Sequence, residues 1–185
     1  IFFVNKLDRE GKDGFELLDE IEEKLDAKVV PLSWPIGMGQ RFKGVYNLYE
    51  KKLVLFNPHG KQEEEEIIVF EDLSHPDLEK HIGERPAQVL REEVEMLEVV
   101  YPDFDKEAYR KGEICPVFFG SAVNNFGVKE LLDCFVDIAP TPRARETEER
   151  IVQPDEEQFS GFVFKIFANM DPRHRDRIAF LRVCS

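Results

Sequence analysis

The 185-residue chain is acidic, with 25 Lys and Arg against 38 Asp and Glu for a net charge of −13, and it is 42% apolar with 16 Phe. That much apolar surface excludes a wholly disordered chain, and the lack of a dominant residue type excludes collagen-, mucin- and prion-like classes. No apolar run reaches the roughly 18 residues of a membrane span, and a net acidic chain is a poor bulk binder of DNA, so neither a membrane nor DNA is an expected partner.

The chain opens on Ile1-Phe2-Phe3-Val4, an apolar run that reads as a buried strand, and it has no initiator Met. Residues 177–184 are strand-like up to the last positions, so the sequence reads as a piece of a larger protein. Phe15, Leu17, Leu18, Ile21 and Leu25 recur at helical spacing and predict a helix over residues 14–26. A β-run over 28–34 is expected to stop at Pro35, Gly37 and Gly39. Residues 42–49 and 53–56 read as a hairpin to which 67–70 add a third strand, and the acidic run Glu63 to Glu66 reads as a solvated loop. Pro86 stands in a first-turn position of a helix over 85–100 whose apolar face is Val89, Leu90, Val94, Leu97 and Val100. A short helix over 106–111 ends at Gly112, and 116–119 form a buried strand followed by Gly120-Ser121-Ala122 and a turn at 124–127. The helix over 128–139 carries Val128, Leu131, Leu132, Phe135 and Val136 on its apolar face, and Pro140 and Pro142 end it. Residues 143–158 turn polar and aperiodic, the signature of a linker, and 159–168 with 176–184 predict two strands of a larger barrel or sandwich.

Cys115, Cys134 and Cys184 form neither a disulfide framework nor a metal pattern, which fits free thiols in a reducing cytoplasm. His59, His75, His81 and His174 stand in no metal-ligand spacing, so no metal site is expected here.

The chemistry begins where the first strand ends. Asn5-Lys6-Leu7-Asp8 lies just beyond a strand's carboxyl end, where ligands of open α/β sheets bind. A carboxylate at Asp8 accepts two parallel hydrogen bonds from the N1–H and 2-amino group of guanine, and it rejects adenine, which presents a lone pair there. Lys6 lays its methylene stem over the base, and Asn5 ties the loop. The competing reading makes Asp8 the N-cap of the next helix. Gly120-Ser121-Ala122 also follows a strand and precedes a helix, so it belongs at the same sheet edge. There a small residue lets a backbone N–H approach the guanine 6-oxo group, and the Ser121 hydroxyl buttresses Asp8. A phosphate loop is missing: Gly39 to Gly44 has the glycine spacing, but Val45-Tyr46 follow where Lys-Ser or Lys-Thr is needed. Asp8-Arg-Glu-Gly11 matches a D-x-x-G switch only by letter. The phosphate half of the site is therefore expected before residue 1.

Taken together, IFFVNKLDRE, PVFFGSA with VNNFGVKELLD, the IAPTP stop and GFVFKIFANMDPRHRDRIAFLRVCS resemble the bacterial translational GTPases, and most of all their peptide-chain release factor three family. NKLD and GSA are common to the superfamily; the stretch from Asn169 to Arg177 discriminates further, because the hairpin of elongation factor G looks shorter and lacks the basic run. The resemblance implies an α/β fold. Residues 1–142 would be the C-terminal part of a P-loop-type GTPase domain with an inserted α+β subdomain at about 28–112, and 159–185 the first strands of a β-barrel domain. The 113 positions between Asp8 and Ser121, far more than one helix needs, agree with that insertion. The implied activity is that of a ribosome-dependent GTPase that promotes departure of class-one release factors. Its GTP or GDP would be held by Asn5, Lys6 and Asp8 with Ser121 and Ala122 closing over the base, and Mg²⁺ by residues outside this stretch, which then holds no catalytic residue.

Charge adds one element. From Lys165 to Ser185 there are five Lys and Arg against two Asp, and Arg173, His174, Arg175 and Arg177 cluster on one hairpin. They are candidates for contact with ribosomal RNA phosphates, and ribosomal proteins are candidates for the insertion. The alternatives are an elongation-factor-G-like translocase or ribosome-protection GTPase and, from another class, a non-enzymatic protein-binding module on the same scaffold.

Overall fold

A computed structural model describes residues 1–56, 66–69, 73–168, 173 and 177–185, with 66–69 as backbone only. The chain divides into two compact units, Ile1–Ala139 and Pro140–Ser185.

In the first unit, β1 (Phe2–Val4), β7 (Cys115–Phe119) and β2 (Val29–Pro31) form a parallel sheet in the order β1-β7-β2. Phe2, Phe3 and Val4 lie opposite Val117, Phe118 and Phe119, so β1 and β7 end level with each other. Helix α1 (Gly14–Leu25) returns the chain from β1 to β2. Its start is a capping box: Asp13 Oδ1 accepts from Glu16 N at 2.9 Å, and Asp13 N donates back to Glu16 Oε2 at 3.3 Å. Asp13, not Asp8, therefore caps this helix. Gly14 lies against the Trp34 indole, where a Cβ would come within 2.6 Å of the ring.

The run expected over 28–34 divides between two sheets. After Leu32, whose N–H still donates to Val117 O, the chain leaves the parallel sheet as β3 (Ser33–Ile36), the edge of an antiparallel sheet ordered β3-β4-β5-β6 with β4 (Gly44–Asn47), β5 (Lys52–Leu55) and β6 (Glu66–Val69). Pro35 sits inside β3 instead of stopping it, which an edge strand tolerates because one side needs no ladder donor. Residues 29–31, expected at the start of the insertion, belong to the parallel sheet. The glycine-spaced stretch at 39–44 is a short 3-10 turn leading into β4, with Gly37, Gly39 and Gly44 at positive φ. Within the acidic run, residues 63–65 lie outside the described residues and Glu66 opens β6.

Helix α2 (Asp77–Ile82), not anticipated from the sequence, packs beside α3 (Glu84–Val100). Helix α3 buries Ala87, Leu90, Val94 and Leu97 against the antiparallel sheet, while Val89 and Val100 are exposed. Helix α4 (Lys106–Lys111) brings Tyr109 beside Phe104, which meets Tyr49 edge to face. Helix α5 (Val128–Ile138) departs from expectation: Cys134 and Ile138 pack on Val30, Leu32 and Phe118 with Leu131 half-buried, whereas Leu132, Phe135 and Val136 are exposed. Burial pushes the Cys134 thiol up to about 11, which leaves it a packing residue.

In the second unit, the stretch 143–158 contains a short ribbon, β8 (Arg145–Glu146) paired to β9 (Ile151–Val152). Thr147 and Arg150 close its turn, Arg150 holds Glu156 through two contacts of 2.6 Å, and Val152 is buried, so charged residues here organise the chain locally. An antiparallel pair follows, β10 (Gly161–Ala168) with β11 (Arg177–Val183), its register shifted between Val163 and Lys165.

Candidate guanine-recognition site

Because β1 and β7 run parallel and end level, the loops that follow them emerge side by side. The ladder extends one step past the strands, with Gly120 N donating to Val4 O at 3.0 Å and Leu7 N to Gly120 O at 3.1 Å. Gly120 is required at this crossing: a Cβ would stand 2.3 Å from Phe126 O and 2.7 Å from the Phe3 ring. Below it, the Ser33 hydroxyl accepts from Phe119 N at 2.9 Å in a fully buried contact that secures the end of β7.

Side chains then join the two loops. Asn5 Oδ1 accepts from Lys6 N and from Ala122 N, both at 2.8 Å. Lys6 takes a left-handed φ of 71°, a conformation that costs a non-glycine residue about 1 kcal/mol and that the Asn5 contact offsets. Ser121, fully buried, donates from Oγ to Asp8 Oδ1 at 2.5 Å. Its backbone exchanges hydrogen bonds with Phe126, and Asn124 Nδ2 donates to its Oγ at 2.8 Å. Gly39 N donates to Leu7 O at 2.8 Å, so the turn before β4 braces the first loop from behind.

The five residues expected at a base site thus converge within one unit, although they lie 113 or more positions apart in two groups. Of the backbone N–H groups in the Gly120-Ser121-Ala122 loop, that of Ala122 donates to Asn5 Oδ1 in the structure. Asn124 had no prominence in the sequence. Asn in a turn is ordinary, and only the contact with Ser121 sets it apart. Of the basic cluster, Arg173 and Arg177 are exposed in the second unit, whereas His174 and Arg175 lie outside the described residues. Among the described residues no group of three His, Cys, Asp or Glu side chains is arranged to hold a metal ion, and no helix is long and apolar enough to cross a membrane.

Known proteins are similar to this chain in sequence and in fold. Residues 1–141 match the elongation factor Tu GTP-binding domain. The chain belongs to that family. Its α/β fold is that of a translational GTPase, and guanine-nucleotide binding with GTP hydrolysis is the family's chemistry. A protein of Thermus thermophilus, known from its crystal structure, shares the fold at a TM-score of 0.58 and 24% sequence identity. That match covers 98% of this chain and 26% of the Thermus protein, so the present chain spans about a quarter of its length.

Proposed function

We propose that these residues carry the guanine-recognition half of a ribosome-dependent GTPase of the release factor three type, a cytoplasmic factor that promotes the departure of class-one release factors. The observation that carries the base-site reading is the joining of the two loops, Ser121 to Asp8 at 2.5 Å and Asn5 to Ala122 at 2.8 Å. Asp8 receives the N1–H and 2-amino group of guanine, Lys6 covers the base, and Ser121 and Ala122 close the other side. A 6-oxo group that accepts from Ala122 N–H shares that donor with Asn5 Oδ1 or displaces it. The phosphates and Mg²⁺ belong to a Gly-rich loop and switch segments that the 185-residue sequence does not contain.

Support for the release-factor reading, over a translocase, comes from the stretch Asn169 to Arg177, whose Arg173, His174, Arg175 and Arg177 suit contact with ribosomal RNA phosphates. The domain assignment, with a GTPase portion over 1–142, an insertion within about 28–112 and the start of a barrel domain at 159–185, belongs to the same proposal.

The test is Asp8→Asn in the full-length protein. Losing two charge-assisted contacts is expected to weaken GDP and GTP about a hundredfold or more. Xanthosine nucleotides should gain, because the amide donates to the 2-oxo group that replaces the amine. Unchanged GTP affinity overturns the base-site assignment. For the termination role, the measurement is the release of a class-one factor from ribosomes after peptide release. GTP-dependent translocation in its place favours the elongation-factor-G-like reading.

A further inference from the structure

Ser121 bridges two groups of opposite polarity. A hydroxyl has one proton and two lone pairs, an amide nitrogen only donates, and an ionised carboxylate only accepts. The 2.8 Å contact from Asn124 Nδ2 therefore uses a lone pair of Ser121 Oγ, and the 2.5 Å contact to Asp8 Oδ1 uses its proton. Ser121 is fully buried, so water does not compete for either contact. Asn124 is itself held in place: its N–H donates to Ser121 O at 3.1 Å, and Asn125, left-handed at φ 53°, donates to Ala122 O at 3.0 Å.

From this juxtaposition we infer that Asn124 is a positioning residue of the base site, setting the polarity of an Asn124 to Ser121 to Asp8 relay that fixes the plane of the Asp8 carboxylate. The inference rests on the base-site reading above and deepens it. Two parallel donors on a purine edge need a carboxylate coplanar with the base, whereas a single donor tolerates its rotation. With one Asp8 oxygen anchored by Ser121, the plane is set before the nucleotide arrives. Asn124 thus acts on selectivity for the 2-amino group, through Ser121 and Asp8, without touching the base.

The experiment is equilibrium binding of GDP and IDP to the full-length protein and to its Asn124→Ala and Asn124→Asp variants, with folding checked by thermal melting. IDP keeps N1–H and both phosphates and lacks only the 2-amino group. The unaltered protein is expected to prefer GDP strongly. Asn124→Ala removes the donor to the Ser121 lone pair, lets the hydroxyl turn away from Asp8 and should cut that preference about fivefold, the scale of one hydrogen bond. Asn124→Asp, nearly isosteric, makes a second carboxylate compete for the same proton, and the preference should fall about tenfold or more. Both variants should lose GDP affinity by more than IDP affinity. Equal losses for GDP and IDP, or an unchanged preference, overturn the positioning role. Equal affinities in the unaltered protein overturn the base-site reading and the inference with it.

Discussion

At the scale of single residues, the site depends on positions where a backbone conformation or a close approach leaves no choice. Gly120 is one. The carbonyl of Phe126 and the ring of Phe3 occupy the space of a side chain, so Gly120→Ala must push the two loops apart. The variant is expected to lose about 2 kcal/mol or more of stability, read as a lower midpoint in urea or thermal unfolding. A neutral substitution would mean that the crossing of β1 and β7 relaxes at no cost. Asp13 is a milder case. Its capping box with Glu16 satisfies donors at the start of α1, and Asp13→Ala should cost about 1 kcal/mol in the same assay. Asn5, Lys6, Asp8 and the GSA loop were legible as residue types beyond strand ends. Asn124 was not, because a turn Asn has no signature until its partner is known.

Elements set the next level, and the contact between α3 and β3 shows how a polar pair enters a core. Glu93, half-buried on α3, accepts from the Trp34 indole N–H at 2.8 Å, and burial raises its pKa, with the indole contact opposing and the nearby charges of Asp13 and Glu92 adding to the rise. The folded chain therefore holds this proton to higher pH than the unfolded chain does, and the group's contribution to stability falls as pH rises above the ordinary Glu range. Glu93→Gln keeps an acceptor for Trp34 without the charge. It is expected to melt at a higher temperature than the unaltered protein at pH 7, the gap closing below about pH 4, where the carboxyl is protonated in both states. A gap that stays constant across this range would assign the effect to packing. Apart from α2, helix positions followed from apolar periodicity, and so did the buried Leu90, Val94 and Leu97 of α3, but the buried face of α5 did not. Helix α5 has apolar residues on more than one side, and the parallel sheet takes Leu131, Cys134 and Ile138 in place of Leu132, Phe135 and Val136.

For the whole molecule, the charge map and the missing phosphate loop make the strongest predictions. Replacing Arg173, Arg175 and Arg177 with Ala in the full-length protein should weaken ribosome binding and flatten its log-log salt dependence by up to about 3, near one unit per lost phosphate contact. Binding indifferent to the triple change would leave these residues as solvated charges. The 185-residue chain alone should release no phosphate from GTP above the buffer rate, since no Lys-Ser or Lys-Thr follows a glycine-rich loop in it. Measurable turnover would require a phosphate site of another kind.

By itself the sequence determined the local grammar of this protein: strands followed by NKLD and GSA, helices with apolar stripes and Gly or Pro stops, and an acidic chain with a basic tip. These follow from interactions between residues a few positions apart, which periodicity and turn residues record. Tertiary structure decided what depends on distant neighbours. It divided one apolar run between two sheets at Leu32, formed a short ribbon from 145–146 and 151–152 in a stretch without periodicity, and chose the buried face of α5. It also set the level ends of β1 and β7, which bring Asn124, Ser121 and Asp8 into one relay across 113 positions. Hydrogen bonds at that separation depend on which strands pair and in what register, and β1 meets β7 only when the sheet assembles across more than a hundred intervening residues.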